Sequence, residues 1–179
     1  MDSKDVSTGQ ASKAEQTFLP LVIWEPTPFE IVKDMLELAQ VGPEDVVYDL
    51  GCGDARILIM AVKEYGAKKA VGYEIKQDLY EKSTQEIQSQ NLQDRITLIR
   101  DDLFNADLSE ASVITLFLSI AANECLRPKL EREAKPSARI VSYVHLMNTW
   151  QANSTELGPG DRLYLYVVPQ AFQVMPDQP

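Results

Sequence analysis

Val46-Val47-Tyr48-Asp49-Leu50-Gly51-Cys52-Gly53-Asp54-Ala55-Arg56 is the stretch that decides the fold. A short apolar run carrying one acid stops at two glycines separated by a single residue, and a helical apolar pattern begins directly after. This reads as a buried strand, a tight turn and a helix start. Val46 to Leu50 is apolar on both faces, as a central strand of a covered parallel sheet is. Glycine allows the turn backbone angles and a close approach that a side chain forbids. A strand feeding such a turn into a helix aims backbone N–H groups over the sheet edge. There, at the carboxyl ends of the strands, α/β proteins hold nucleotide-like ligands.

Two ligand classes compete for the turn. A dinucleotide fold uses G-x-G-x-x-G, with its pyrophosphate at the helix N-terminus. Here Arg56 takes the third glycine's place, and Asp54 puts negative charge where a pyrophosphate would lie. S-adenosylmethionine carries an ammonium and a sulfonium and no phosphate, so Asp49 and Asp54 favour it. A nicotinamide dehydrogenase is the disfavoured alternative.

Working outward, residues 1–17 are rich in Ser, Lys, Asp and Gln and read as a flexible tail. Residues 18–28 alternate apolar residues with prolines, which predicts an extended arm. A helix is expected over 29–40, with Phe29, Val32, Leu36 and Ala39 inward. Thr27 is its expected N-cap, with Pro28 in the first turn and Glu30 completing a capping box. After the turn come a helix over 55–65, stopped by Gly66, and a strand over 70–75 carrying Glu74. An acid at that strand end, about 20 residues past the turn, suits both ribose hydroxyls. A polar helix over 77–91 and a strand over 96–99 follow. Past that strand, Asp101 or Asp102 can accept from an adenine amino group, with Asp102 favoured and Leu103 or Phe104 against the ring. The competing reading is an ordinary Asp-rich turn. Strands are expected over 113–118, 139–144 and 163–168, and 145–150 continues extended. The helical pattern over 120–134 is interrupted at Pro128, predicting a kink or two short helices. Asn153-Ser154-Thr155 reads as a turn, and 170–179 as a loose tail. Repeated strand–helix units imply a parallel sheet with right-handed crossovers and an antiparallel last strand.

Composition bounds the function. The 179 residues suit one domain, 45% hydrophobic and 25% charged as in an ordinary globule. No apolar run approaches a membrane span, and no targeting pattern opens the chain, so a cytoplasmic protein is expected. A net charge of −10 weighs against nucleic acid and suits basic protein surfaces. Two cysteines and one histidine suggest neither a metal set nor a Ser-His or Cys-His hydrolase.

From Trp24 to Val168 the chain resembles the class I, seven-β-strand methyltransferases. Asp49-x-Gly51-x-Gly53, Glu74 and the Asp102 turn are similar to their S-adenosylmethionine motifs. More narrowly it resembles the archaeal broad-specificity protein-lysine methyltransferases and their mitochondrial relatives. The segments carrying that likeness are Trp24-Glu25-Pro26-Thr27-Pro28, Tyr48 to Asp54, Val71-Gly72-Tyr73-Glu74, Phe117-Leu118 with Lys129-Leu130, and Arg139-Ile140-Val141-Ser142 running on to Trp150. Trp24-Glu25 and Ala55 depart from the family's usual residues and leave acceptor preference open. The absence of an apolar targeting segment suits the archaeal branch.

The resemblance implies an α/β, Rossmann-like, seven-stranded sheet in a domain over 18–169, with 18–28 as its arm. It implies S-adenosylmethionine held by Thr27, Asp49, Gly51, Gly53, Asp54, Glu74, Asp102 and Leu103, and no metal. Trp24, Glu25, Tyr48, Phe117 and Leu118 would form the lysine channel, with Glu25 guiding the ammonium. A monomer or weak oligomer acting on lysine-bearing proteins follows, with no nucleic acid and no membrane. An Asn-Pro-Pro-Tyr motif, which planar nitrogens need, does not follow the fourth strand. A lysine must lose its proton, which costs roughly 4–5 kcal/mol at pH 7, less in an apolar channel. In-line placement supplies the remainder, so no histidine base is needed. The alternatives are a methyltransferase for small molecules or nucleic acid, and a non-catalytic S-adenosylmethionine-binding scaffold.

Overall fold

A computed structural model describes residues 25–158 and 161–172. The expected tail 1–17, the arm up to Trp24, residues 159–160 of the last turn, and 173–179 lie outside the described residues. The elements are α1 (Phe29–Leu38), β1 (Val46–Leu50), α2 (Arg56–Lys63), β2 (Lys69–Tyr73), α3 (Gln77–Ser89) and β3 (Ile96–Ile99). Then come β4 (Val113–Leu116), α4 (Ile120–Glu133), β5 (Arg139–Tyr143), β6 (Asn153–Gly158) and β7 (Asp161–Val167). They build one seven-stranded sheet in the order β3-β2-β1-β4-β5-β7-β6. Strands β1 to β5 pair in parallel, and β7 runs antiparallel to both β5 and β6. The expected architecture is therefore observed.

Strand alternation divides the interior in two. One core joins α1, α2 and α3 to Val47, Ala70, Val113 and Val141. The other joins α4 to Tyr48, Leu50, Ile114, Leu116, Ile140 and Tyr166. Arg139, at the start of β5, pairs with Asp45 and donates to the carbonyls of Ala39 (2.6 Å) and Gln40 (3.0 Å). It thereby caps the end of α1 at the sheet's amino edge, where carbonyls lack helical partners.

Several local expectations need correction. The cap of α1 is Pro28, with no side-chain hydrogen bond, so Thr27 and Glu30 form no capping box. Thr27 lies one residue too early for its hydroxyl to reach the first helical amides. Phe29 is 61% exposed and does not face inward. Its ring lies beneath the Arg56 guanidinium, 4.7 Å from carbon to centroid. Helix α4 runs unbroken through Pro128. Buried Leu126 and Leu130 anchor it on both sides, and the Arg127–Glu124, Arg127–Glu131 and Lys129–Glu133 pairs link its turns. Residues 145–150 are not extended, because Val144 is left-handed (φ 66°) and bends the chain out of line with β5. Asn153-Ser154-Thr155 belongs to β6, not to a turn. After β7, a 3-10 helix over Gln170–Phe172 packs on the domain, with the Phe172 ring 4.6 Å from that of Trp150.

Gly72 in β2 explains how the turn after β1 can sit so close. A Cβ there would lie 2.5 Å from Leu58 Cδ1 and 2.7 Å from Cys52 Sγ. Leu58 and Cys52 are both buried and have little room to retreat. Gly72→Ala is therefore expected to destabilise the fold by about 1–3 kcal/mol, the cost of overpacking. Urea denaturation measures this.

Candidate functional site

The turn between β1 and α2 places Gly51, Gly53 and Ala55 at φ 94°, 54° and 63°. The N–H groups of Gly51 and Cys52 both donate to the Tyr73 carbonyl at 2.9 Å, fastening the turn to the end of β2. One residue further, Glu74 Oε2 accepts from the Gly53 N–H at 3.0 Å, and Oε1 accepts from Lys76 N–H at 2.8 Å. The Ser83 hydroxyl of α3 donates to the Gly53 carbonyl at 2.7 Å. Glu74 is thus buried and built into the turn. Each carboxylate oxygen has a second lone pair and can still accept a hydroxyl.

Asp49 is 4% exposed and shares the face of Val47. Thr115 of β4 donates its hydroxyl to Asp49 Oδ1 at 2.9 Å. Burial pushes the Asp49 carboxyl up to about 7, against the Thr115 hydrogen bond, and the charges of Glu74 and Asp54 add to the rise. A buried acid whose charged neighbours are acids suits a cationic ligand group, which would relieve both penalties.

Asp54 differs. Arg56 Nε donates to Asp54 Oδ1 (2.8 Å) and Nη2 to Oδ2 (2.5 Å), a forked pair. Burial opposes the Asp54 charge, but Arg56 outweighs it and holds the carboxyl below the usual range. Arg56 Nη1 also donates to the carbonyl of Thr27, which is buried at the same place. Beyond β3, Asp102 Oδ1 accepts from Phe104 N–H (3.0 Å) and caps a 3-10 helix over Leu103–Asn105. Asp101 is exposed, and hydrogen bonds from the Asn105 side chain and the Asp102 amide hold its carboxyl low. Leu103 and Phe104 are half-buried beside it.

Leu118 does face the glycine turn: a Cβ on Gly51 would lie 3.5 Å from Leu118 Cδ2. Phe117 packs on Tyr143, with ring centroids 4.7 Å apart. The Tyr143 hydroxyl donates to Asp161 Oδ1 at 2.5 Å. Burial, that bond and the nearby Glu25 charge push it up to about 12. The structure thus brings Glu25, Phe117 and Leu118 to the carboxyl edges of β4 and β5, together with Tyr143 and Asp161. Tyr48 is not brought there. It points to the opposite face, packs in the α4 core, and is pushed up to about 12 by burial and then by Tyr73. Trp24 lies outside the described residues.

Sequence reasoning gave Arg56 no partner here, and it also missed Thr115, Ser83, Tyr143 and Asp161. Asn123 of α4 was missed too. It is fully buried and donates to the Ser142 hydroxyl (3.3 Å) and His145 carbonyl (3.0 Å), holding the loop after β5.

The ANTKMT methyltransferase domain profile matches residues 49–154, more than half of the chain. A protein-lysine N-methyltransferase of Saccharolobus islandicus (strain REY15A) is 40% identical over 156 residues, 85% of this chain and 97% of that protein. The adenine nucleotide translocase lysine N-methyltransferase of Mus musculus is 30% identical over 138 residues, 76% of this chain and 59% of that protein. A crystal structure described as an RNA methyltransferase from Salinibacter ruber, in complex with S-adenosyl-L-homocysteine, is 39% identical with a TM-score of 0.79. That match covers 86% of this chain and 98% of the other.

The state of Asp49 predicts opposite pH effects on stability and on binding. Its raised pKa means that the folded chain holds a proton which the unfolded chain releases in the ordinary carboxylate range. Its contribution to stability therefore falls as pH rises from about 4 toward 7. Asp49→Asn, which keeps the Thr115 bond, is expected to be more stable than wild type at pH 8 by roughly 1–3 kcal/mol. A ligand cation seated at Asp49 should bind about tenfold more weakly per pH unit below 7, and Asp49→Asn should lose that dependence. Urea melts and calorimetry across pH 5.5–8.5 check both.

Proposed function

Because the chain belongs to the ANTKMT methyltransferase domain family, we propose that it is an S-adenosylmethionine-dependent protein-lysine N-methyltransferase. The observation that carries this is its 40% identity, over nearly the whole length of both chains, to a protein-lysine N-methyltransferase. S-adenosylmethionine, when bound, supplies an electrophilic methyl group on a positive sulfur. Asp49 faces the positive methionine end of the cofactor, Glu74 accepts from the ribose, and Asp102 with Leu103 borders the adenine. Gly51 and Gly53 let the backbone approach, and Thr27 closes the methionine end from the arm. Asp54, paired with Arg56, acts through the turn's shape.

On the acceptor side, Phe117 and Leu118 line an apolar approach that lowers the target lysine's pKa. Glu25 draws the ammonium in, and Trp24 is assigned to the same acceptor role. The ammonium loses a proton to solvent, which leaves the neutral amine in line for the methyl group that bound S-adenosylmethionine would supply. Placement at about 3–3.5 Å accounts for much of the acceleration. The domain spans 18–169, with 18–28 as its arm, and works as a monomer or weak oligomer. No helix among the described residues is long and apolar enough to cross a membrane, and a cytoplasmic setting is proposed.

The Salinibacter ruber structure, described as an RNA methyltransferase, favours a second reading, transfer to RNA. The net charge of −10 opposes it, because phosphates demand basic surface.

Radiolabelled S-adenosylmethionine, incubated with the protein and cell extract, separates the two readings. Label in protein bands and in methyl-lysine is expected, whereas label confined to RNA overturns the proposal. Glu74→Ala should abolish cofactor binding by calorimetry. Trp24→Ala should leave that binding within about twofold while lowering protein methylation several-fold, the worth of one buried aromatic contact.

A further inference from the structure

Arg56 stands where a dinucleotide turn has its third glycine, and its guanidinium is engaged on three sides. It forks onto Asp54, donates to the Thr27 carbonyl at 2.8 Å, and lies over the Phe29 ring. Asp54 belongs to the glycine turn, whereas Thr27 and Phe29 belong to the segment that enters α1. One side chain therefore joins two parts of the chain 29 residues apart. From Arg56 that segment runs back toward β5, where the charge of Glu25 acts on the Tyr143 hydroxyl. Asp49, Thr115 and Phe117 lie on the sheet face between those two ends, in the order of strands β1 and β4.

We propose that Arg56 is a positioning residue, which fastens residues 25–28 across the carboxyl edge of the sheet. The acceptor side of the site thereby keeps a fixed place over Asp49 and the turn. The inference rests on the methyl-transfer reading for its kinetic consequence, though not for the fastening itself. Arg56 uses three separate nitrogens, Nε and Nη2 on Asp54 and Nη1 on the Thr27 carbonyl, where a lysine has a single nitrogen to divide between them. Arg56 also borders an open groove of about 350 Å3 between α2 and α3, so replacing it leaves both packed cores intact.

The test compares Arg56→Lys and Arg56→Gln with wild type in the full chain. Both variants should raise the KM for a protein acceptor by about tenfold, the worth of one charge-assisted hydrogen bond. The kcat should stay within about threefold, and the affinity for S-adenosylhomocysteine should fall by less than the KM rises, because Thr27 at the methionine end loosens with the segment while Asp49, Glu74 and Asp102 stay in place. Amide hydrogen exchange over residues 27–32 should quicken in both. Wild-type KM in Arg56→Lys overturns the proposal, because charge opposite Asp54 would then suffice. A fall in kcat matching a fall in melting temperature also overturns it, as a loss of stability alone. If wild type methylates no protein lysine, the functional reading fails. Exchange then decides the fastening, and unchanged protection in Arg56→Lys overturns it.

Discussion

The contact at Gly72 is the constraint on which the site depends. Without a side chain there, Cys52 and Leu58 settle directly onto β2. That approach brings two turn amides to the Tyr73 carbonyl and the Gly53 amide to Glu74. It also fixes where α2 begins, and so where Arg56 points. Asp49 and Glu74, 25 residues apart in sequence, come to one crevice because the backbone between them can close up here.

The acids at the two edges of the sheet are treated in two ways. Asp54 and Asp45 are each paired with an arginine, Arg56 and Arg139. Among the described residues Asp49 has only the Thr115 hydroxyl, and Glu74 is held by backbone amides. Ionised carboxylates without a counter-charge are costly when buried, and a cationic ligand group at Asp49 would relieve that cost. Stability of the free protein and affinity for such a cation thus pull in opposite directions at Asp49.

Much of this was legible from residue order. The strand, turn and helix from Val46 to Lys63 follow from local rules, and the parallel sheet follows from the repeated strand–helix units. Glu74 stood out by its spacing from the turn, and its carboxylate does meet that turn at the Gly53 amide. What stayed hidden was set by contacts distant in sequence. Phe29 fits the inward stripe of α1 by periodicity, yet an arginine 27 positions later holds it at the surface. Tyr48 neighbours Asp49 in sequence, and for that very reason points to the other face of the sheet. Strand β6 carries polar residues that read as a turn, and it is defined by pairing with β7. Tyr143 and Asp161 meet only because β7 runs antiparallel to β5.

The Asp54 charge is neutralised locally, so it does not by itself repel a phosphate. The turn's hydrogen bonds supply a different filter. The N–H groups of Gly51, Cys52, Gly53, Ala55 and Arg56 all point to acceptors within the protein. A diphosphate arriving at this loop would find those main-chain donors already satisfied and would have to break them loose. Three of the five, Gly51, Cys52 and Ala55, are met by main-chain carbonyls, so that part of the barrier to a diphosphate survives any substitution of the side chains around it.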